Sequence, residues 1–220
     1  MAFCKYQRSC IINIMKELEQ FLYSPMGNRT LGILLALLWG TFAYHQIEAF
    51  LVSGKIAFLI FCFSESLQAI FFLLRTTPKT ISLDTFDWLV ALGGTFVVLF
   101  LRPGGTVLWQ GGEAMVLFGV LLQILALTSL NRSFAIVPAL RNVKQHGLYR
   151  VIRHPMYASY LFLFTGYFLF NTTILNAFLC LFAFIFLFLR IEREEKHLSR
   201  DAGYRLYKEH VRFRLIPFVY

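Results

Sequence analysis

Charged residues are scarce in this sequence, and their scarcity argues against an ordinary soluble domain. Only 15% of the 220 residues are Asp, Glu, Lys or Arg, whereas 58% are hydrophobic and the mean hydropathy is +0.63. Soluble domains are about 45–50% apolar. The apolar residues form long runs, which are typical of a polytopic membrane protein. The length suits one helical bundle without a separate soluble domain.

The sequence also lacks the cysteine spacing of a metal or redox site. The four cysteines, Cys4, Cys10, Cys62 and Cys180, form no CxxC pair, so we expect reduced, packed thiols and no metal. The first 23 residues are mixed and amphipathic, so we expect no signal peptide there.

Acidic residues are few, and the net charge is +9. The basic residues lie between and after the apolar runs, a pattern that reflects membrane topology. A nucleic-acid partner would instead require a basic soluble face. We therefore predict no nucleic-acid binding.

Six apolar segments predict about six transmembrane helices in an all-α bundle. They are Leu31–Val52, Ile56–Leu74, Phe86–Leu101, Ala114–Leu130, Met156–Phe170 and Thr173–Leu189. Only Asn171 and Thr172 separate the last two segments, which predicts a tight helical hairpin. Before the first segment, the stretch IINIMKELEQFLY predicts a short interfacial helix.

Positive charge accumulates on one predicted face of the membrane. The loop 131–155 holds five Lys or Arg and no acid, and the tail 190–214 holds eight. The hairpin places both regions on the same side, so the positive-inside rule predicts cytoplasmic N- and C-termini. We expect a multi-pass protein of a bacterial inner membrane or of the endoplasmic reticulum, in contact with membrane lipids.

The stretch GLYRVIRHPMYASY, residues 147–160, places charged and aromatic residues at a membrane boundary. Pro155 lacks an N–H group and suits the first turn of a helix, and it keeps His154 out of the helical region. A helix N-terminus favours anions. Taken alone, the stretch is better explained as a helix start with interfacial Arg and Tyr side chains.

The other arm of the hairpin ends in the stretch RIEREE, which contains Arg190, Glu194 and Glu195. A helix C-terminus prefers cations nearby, so two adjacent acids are unusual there unless a cation binds. A solvated, salt-bridged helix end is the alternative. Because the hairpin joins this stretch to residues 147–160, a ligand with anionic and cationic parts, such as S-adenosylmethionine, fits between them. NADPH would use the arginines but not the glutamates.

Two pairs of polar residues lie inside the first two apolar segments. His45 and Glu48, and Glu65 and Gln68, are spaced to share a helix face. A charge at mid-membrane costs roughly 2.5–3.5 kcal/mol on insertion scales. We therefore predict that these residues line a lateral substrate pocket, with Glu65 as a substrate-binding candidate.

The C-terminal tail, AGYRLYKEHVRFRLIPFVY, carries Tyr204 and Tyr207 three residues apart. The pattern predicts an amphipathic helix. Such a helix either folds back to close the site or serves as an interfacial anchor, and the sequence leaves both open.

The ordered set of these pieces resembles the isoprenylcysteine carboxyl methyltransferase family and, more loosely, the phospholipid methyltransferases. The pieces are GLYRVIRHPMY, the hairpin, RxxxEExxL from Arg190, GYxxY from Gly203 and RLIP at 214–217. The resemblance implies that 131–220 bind the cofactor and that 1–130 supply an interfacial segment and four transmembrane helices. It further implies methyl transfer from S-adenosylmethionine to a prenylcysteine carboxylate that enters from the bilayer.

The resemblance also assigns roles to individual residues. Arg190 looks like the residue that orients the substrate carboxylate, Glu194 like a cofactor ligand needed for catalysis, and Arg153 like a support for a carboxylate in the site. The implied cofactor wall consists of Arg141, Asn142, Val143, Lys144, Tyr149, His154, Pro155, Met156, Tyr157, Glu194 and Glu195.

Other functions stay open at this stage. Phospholipid methyltransferases tend to carry GxG after the RHP-like motif, whereas the stretch TGYF has only Gly166. The end, RFRLIPFVY, is also similar to membrane steroid and enoyl reductases, which use NADPH but lack the combination of RHPxY with paired glutamates. A non-enzymatic protein whose basic face binds anionic lipid is a further alternative.

Overall fold

The computed structural model of the chain describes Glu17 and residues 20–219, and its fold is the predicted all-α membrane bundle. The helices are α1 (Pro25–Ser53), α2 (Ile56–Leu74), α3 (Thr85–Phe96), α4 (Gly112–Leu130), α5 (Pro155–Phe170), α6 (Ile174–Leu198) and α7 (Ala202–His210). Two short strands, β1 (Thr80–Ile81) and β2 (Ala139–Leu140), pair antiparallel. Most of the predicted interfacial helix lies outside the described residues.

All six predicted apolar segments contain a helix, but the helices differ in length. Within the described ranges, four are long and apolar enough to cross a membrane: Pro25–Ser53, Ile56–Leu74, Gly112–Ser133 and Ile174–Leu198. The third segment is α3 followed by a 3₁₀ turn over Val97–Phe100, and α5 has 16 residues. Both are shorter than the roughly 20 residues of a full span.

The short helices end where a loop covers the far end of the bundle. In residues 101–111, the Thr106 N–H donates to the Thr172 carbonyl at 3.1 Å. The buried Asn176 side chain accepts from the Arg102 N–H at 3.1 Å and donates to the Arg102 carbonyl at 2.8 Å. The loop therefore satisfies the backbone groups of the hairpin turn at this end.

Local capping signals set the starts of the hairpin helices. Helix α5 begins at Pro155 as predicted, with His154 at the cap position but without a capping hydrogen bond from its side chain. Helix α6 begins after Thr173, whose hydroxyl accepts from the Asn176 N–H at 3.0 Å. The tight hairpin is thus confirmed.

Glycines allow α4 and α5 to approach backbone to backbone. A Cβ added at Gly112 would lie 2.6 Å from the Gly166 carbonyl oxygen, and one added at Gly166 would lie 2.7 Å from the Gly112 carbonyl oxygen. Small residues favour such packing in membranes, where helices associate through close contact. The contact fixes α5, which begins with the RHP stretch, against α4.

The charged segments gather at the opposite end of the bundle from the loop 101–111. There, β1 pairs with β2, and the Thr76 N–H donates to the Arg132 carbonyl at 3.0 Å. His45 and Glu48 form a 2.9 Å pair on the exposed face of α1. They are absent from the lining of the cavity described below, contrary to the expectation of a pocket role.

Candidate active site

A cavity opens at the charged end of the bundle, between the hairpin, the loop 133–144 and α7. Most of the predicted site residues line it: Arg141, Asn142, Val143, Lys144, Tyr149, Arg153, His154, Met156, Tyr157, Arg190 and Glu194. Three predicted residues do not line it, namely Pro155, Glu195 and Glu65. The structure thus brings most of the set together, while the role of each residue stays a prediction.

The two arms of the hairpin meet through Tyr157 and Glu194. The buried Tyr157 hydroxyl donates to Glu194 Oε2 at 2.6 Å. This bond orients the Glu194 carboxylate on the cavity wall and leaves its other oxygen available to a ligand. The arrangement provides fixed negative charge of the kind that an amine or a sulfonium requires.

Arg190 is held on three sides. Its Nη1 donates to the Thr95 hydroxyl at 3.2 Å, and its Nη2 donates to the Ile136 carbonyl at 3.0 Å. Its Cζ lies 5.2 Å from the centre of the Tyr157 ring, a cation–π distance. Since a guanidinium has five N–H donors, donors remain for a planar anion in the cavity.

Glu195 lies behind the cavity wall in a cluster of positive groups. Its Oε1 accepts from Arg153 Nε at 2.7 Å and lies 3.2 Å from His154 Nε2. Its Oε2 lies 3.2 Å from Arg214 Nη2 and 3.6 Å from Lys208 Nζ. The geometry gives Arg153 the expected carboxylate partner and favours a supporting position for Glu195 over direct contact with a ligand.

The C-terminal tail folds back over the hairpin. The N–H groups of Arg153 and His154 donate to the carbonyls of Phe213 and Arg214, each at 2.9 Å. Arg153 Nη1 also donates to the carbonyls of Val211 and Arg212, each at 3.0 Å. The tail therefore folds back against the start of α5, an arrangement that the closing role requires.

Tyr204 and Tyr207 of α7 are buried and line the cavity. The Tyr207 hydroxyl donates to the Tyr149 carbonyl at 2.8 Å. Burial raises the pKa of both tyrosines, so their hydroxyls stay protonated. The Tyr204 hydroxyl has no hydrogen-bond partner in the described part of the chain and is a free donor at the cavity.

The N-terminal helices supply a second wall, of which sequence reasoning predicted only Gln68. Trp39 of α1, Gln68 of α2 and Thr95 of α3 line the cavity, together with Phe134 and Ile136 of the following loop. Gln68 Nε2 donates to Glu65 Oε2 at 3.3 Å, so Glu65 lies one side chain behind the wall. Only the Glu65–Gln68 spacing gave any signal, because contacts between distant helices leave no local pattern.

One match relates this chain to known proteins. Residues 107–204 match the family described as phospholipid methyltransferase. Over these residues, which are less than half of the chain, the protein is similar to a family of membrane methyltransferases. The match begins before α4 and so extends further toward the N-terminus than the resemblance implied. No curated protein matches the chain.

The residues of the cavity fit the methyl donor of this family. S-adenosylmethionine carries a carboxylate, an amine and a sulfonium cation, and the cavity offers both charge signs. Glu194 presents a carboxylate, while the Tyr204 hydroxyl is a buried donor without a partner in the described residues. An unpaired buried donor is costly unless a ligand accepts from it.

Proposed function

We propose that the protein transfers a methyl group from S-adenosylmethionine to a carboxylate on a lipophilic acceptor such as a prenylcysteine. One observation carries the proposal: Arg190 and Glu194, one turn apart on α6, both face the same cavity. The pair offers a cation for the acceptor and an anion for the donor. When bound, the donor supplies an electrophilic methyl group on a sulfonium.

The acceptor side depends on Arg190. A carboxylate is ionised near neutral pH and needs no general base. The Thr95 hydroxyl, the Ile136 carbonyl and the Tyr157 ring fix the guanidinium, which then orients the carboxylate through paired hydrogen bonds. The chain's contribution to rate is therefore positioning and exclusion of water. Trp39, Phe134 and Met156 offer apolar surface for the lipid tail.

Methylation of a phospholipid amine is the second candidate. The family match favours it by name, and Glu194 is a carboxylate that lines the cavity. An amine must lose a proton before it attacks, and such an acid is able to accept that proton.

Binding and turnover by purified protein in detergent test these functions. We expect S-adenosylhomocysteine to bind and NADPH not to bind. Radiolabelled methyl groups should then pass to a prenylcysteine analogue rather than to phosphatidylethanolamine. Binding of NADPH alone would indicate a reductase, and exclusive labelling of phosphatidylethanolamine would favour the second candidate.

A further inference from the structure

Two arginines, Arg141 and Arg75, lie close together on the α1–α2 side of the cavity. Arg141 is 6% exposed and lines the cavity, while Arg75 directly follows the last residue of α2 and is half-buried. Asn28 of α1 joins them: its backbone carbonyl accepts from Arg75 Nη2 at 3.1 Å, and its Oδ1 accepts from Arg141 Nη2 at 3.4 Å. Asn28 itself is 6% exposed.

The two guanidinium groups have more N–H donors than the described residues around them have acceptors. Arg141 Nε, Arg141 Nη1 and Arg75 Nε are buried and have no hydrogen-bond partner among the described residues. Within the same residues, neither guanidinium has a carboxylate at ion-pair distance. Burial lowers the pKa of Arg141 to about 9, with a contribution from the Arg75 charge, and lowers that of Arg75 to about 10. A buried and a half-buried guanidinium with spare donors are costly side by side unless an anion joins them.

The position of the pair favours an anion that belongs to a lipid headgroup. Arg75 lies at the charged end of the 19-residue helix α2, and a helix of that length places its end residues at the level of lipid headgroups. Trp39, Gln68 and Phe134, which also line the cavity, belong to the apolar α1–α2 side rather than to the hairpin wall around Glu194.

We propose that Arg141, supported by Asn28 and Arg75, binds a phosphate carried by an amphiphilic acceptor, at a subsite separate from the carboxylate position at Arg190. Arg141 makes the direct contact, because it lines the cavity. Asn28 aligns Arg141, and Arg75 supplies a second positive charge. This subsite differs from Arg190, which lies on α6 against Thr95 and Ile136. This proposal rests on the proposed function in one respect: the ligand in the cavity is taken to be the methyl acceptor.

Direct binding measurements in an uncharged maltoside detergent test the subsite without turnover. The probes are a short-chain phosphatidylethanolamine, an S-prenyl N-acetylcysteine, inorganic phosphate and S-adenosylhomocysteine. We expect Arg141→Gln to raise the Kd of the phosphatidylethanolamine at least about tenfold. The Kd values of S-adenosylhomocysteine and of the S-prenyl N-acetylcysteine, whose one carboxylate is assigned to Arg190, should change less than about twofold.

Three further variants control the measurement. Arg75→Gln should weaken the same probe less than Arg141→Gln does, and Arg141→Lys should retain part of the affinity because it keeps the charge. Lys79→Gln removes an exposed charge at the same end of the bundle and should change nothing. If Arg141→Gln is not monodisperse, Arg75→Gln and Arg141→Lys still report on the subsite.

Two results would overturn the proposal. Parallel loss of S-adenosylhomocysteine, with both amphiphiles unaffected, would assign the arginines to the cofactor carboxylate. Unchanged affinity for the phosphatidylethanolamine, an effect on inorganic phosphate alone, or weaker binding of the S-prenyl N-acetylcysteine alone would remove the phosphate subsite. Failure of the proposed function is distinguishable, because it would appear as absent S-adenosylhomocysteine binding in the unmodified protein.

Discussion

Glu194 and Glu195 are adjacent in sequence, but their carboxylates have different surroundings. Glu194 lines the cavity with Tyr157, whereas Glu195 is 3% exposed and surrounded by cations. We expect Glu194→Gln to weaken S-adenosylhomocysteine binding at least about tenfold, because the amine loses its charged partner. Titration of both proteins in detergent measures the change. Equal affinities would show that Glu194 is not a cofactor ligand.

Arg190 gives the second prediction at the residue scale. Arg190→Lys keeps the charge but loses the planar fork that binds a carboxylate through two hydrogen bonds. We expect S-adenosylhomocysteine affinity to stay within about twofold while methyl transfer falls at least about tenfold. Rates measured at saturating donor separate the two effects. Retained turnover would mean that the acceptor carboxylate is not held there.

The contact of α4 with α5 gives a prediction at the element scale. A Cβ at residue 166 would lie 2.7 Å from the Gly112 carbonyl oxygen and 2.8 Å from the Val116 nitrogen. Gly166→Ala should therefore force the helices apart and destabilise the fold by about 1–3 kcal/mol. Thermal unfolding in detergent measures the loss.

Gly40→Ala is the matched control for Gly166→Ala. A Cβ at residue 40, within α1, would meet nothing within 4 Å, so the replacement should leave stability unchanged or slightly raised. If the two variants unfold at the same temperature, backbone approach at Gly166 is not what holds α5 against α4.

At the scale of the whole molecule, Glu195 joins the hairpin to the loop and the tail. Arg153 and His154 precede α5, and Lys208 and Arg214 lie in or after α7. Glu195→Gln leaves the buried Arg153 without its counter-charge, which costs about 3–5 kcal/mol in such sites. We expect faster tryptic cleavage in the tail and a lower unfolding temperature.

Glu192→Gln provides the comparison for Glu195→Gln. Glu192 is exposed on the same helix, so its replacement should leave both tail cleavage and unfolding temperature unchanged. Equal proteolysis of the two variants would show that the tail docks through its backbone bonds to residues 153 and 154 alone.

Local signals in the sequence determined the all-α membrane class, the start of α5 and the hairpin. Pro155 fixes φ and lacks a donor, and Thr173 caps the next helix, so neighbouring residues suffice. Apolar runs predicted where helices form, but not that α3 ends at Phe96.

Tertiary structure alone decided which residues share the cavity. Trp39, Thr95 and Ile136 reach the site from elements far apart in the chain, and no periodicity or spacing connects them to Arg190. It also separated Glu194 from Glu195, because successive residues on a helix point in different directions and only the packing partners define each side. The sequence by itself thus determined the elements and the chemical groups available. Packing between distant elements decided which groups face a ligand and which hold the wall.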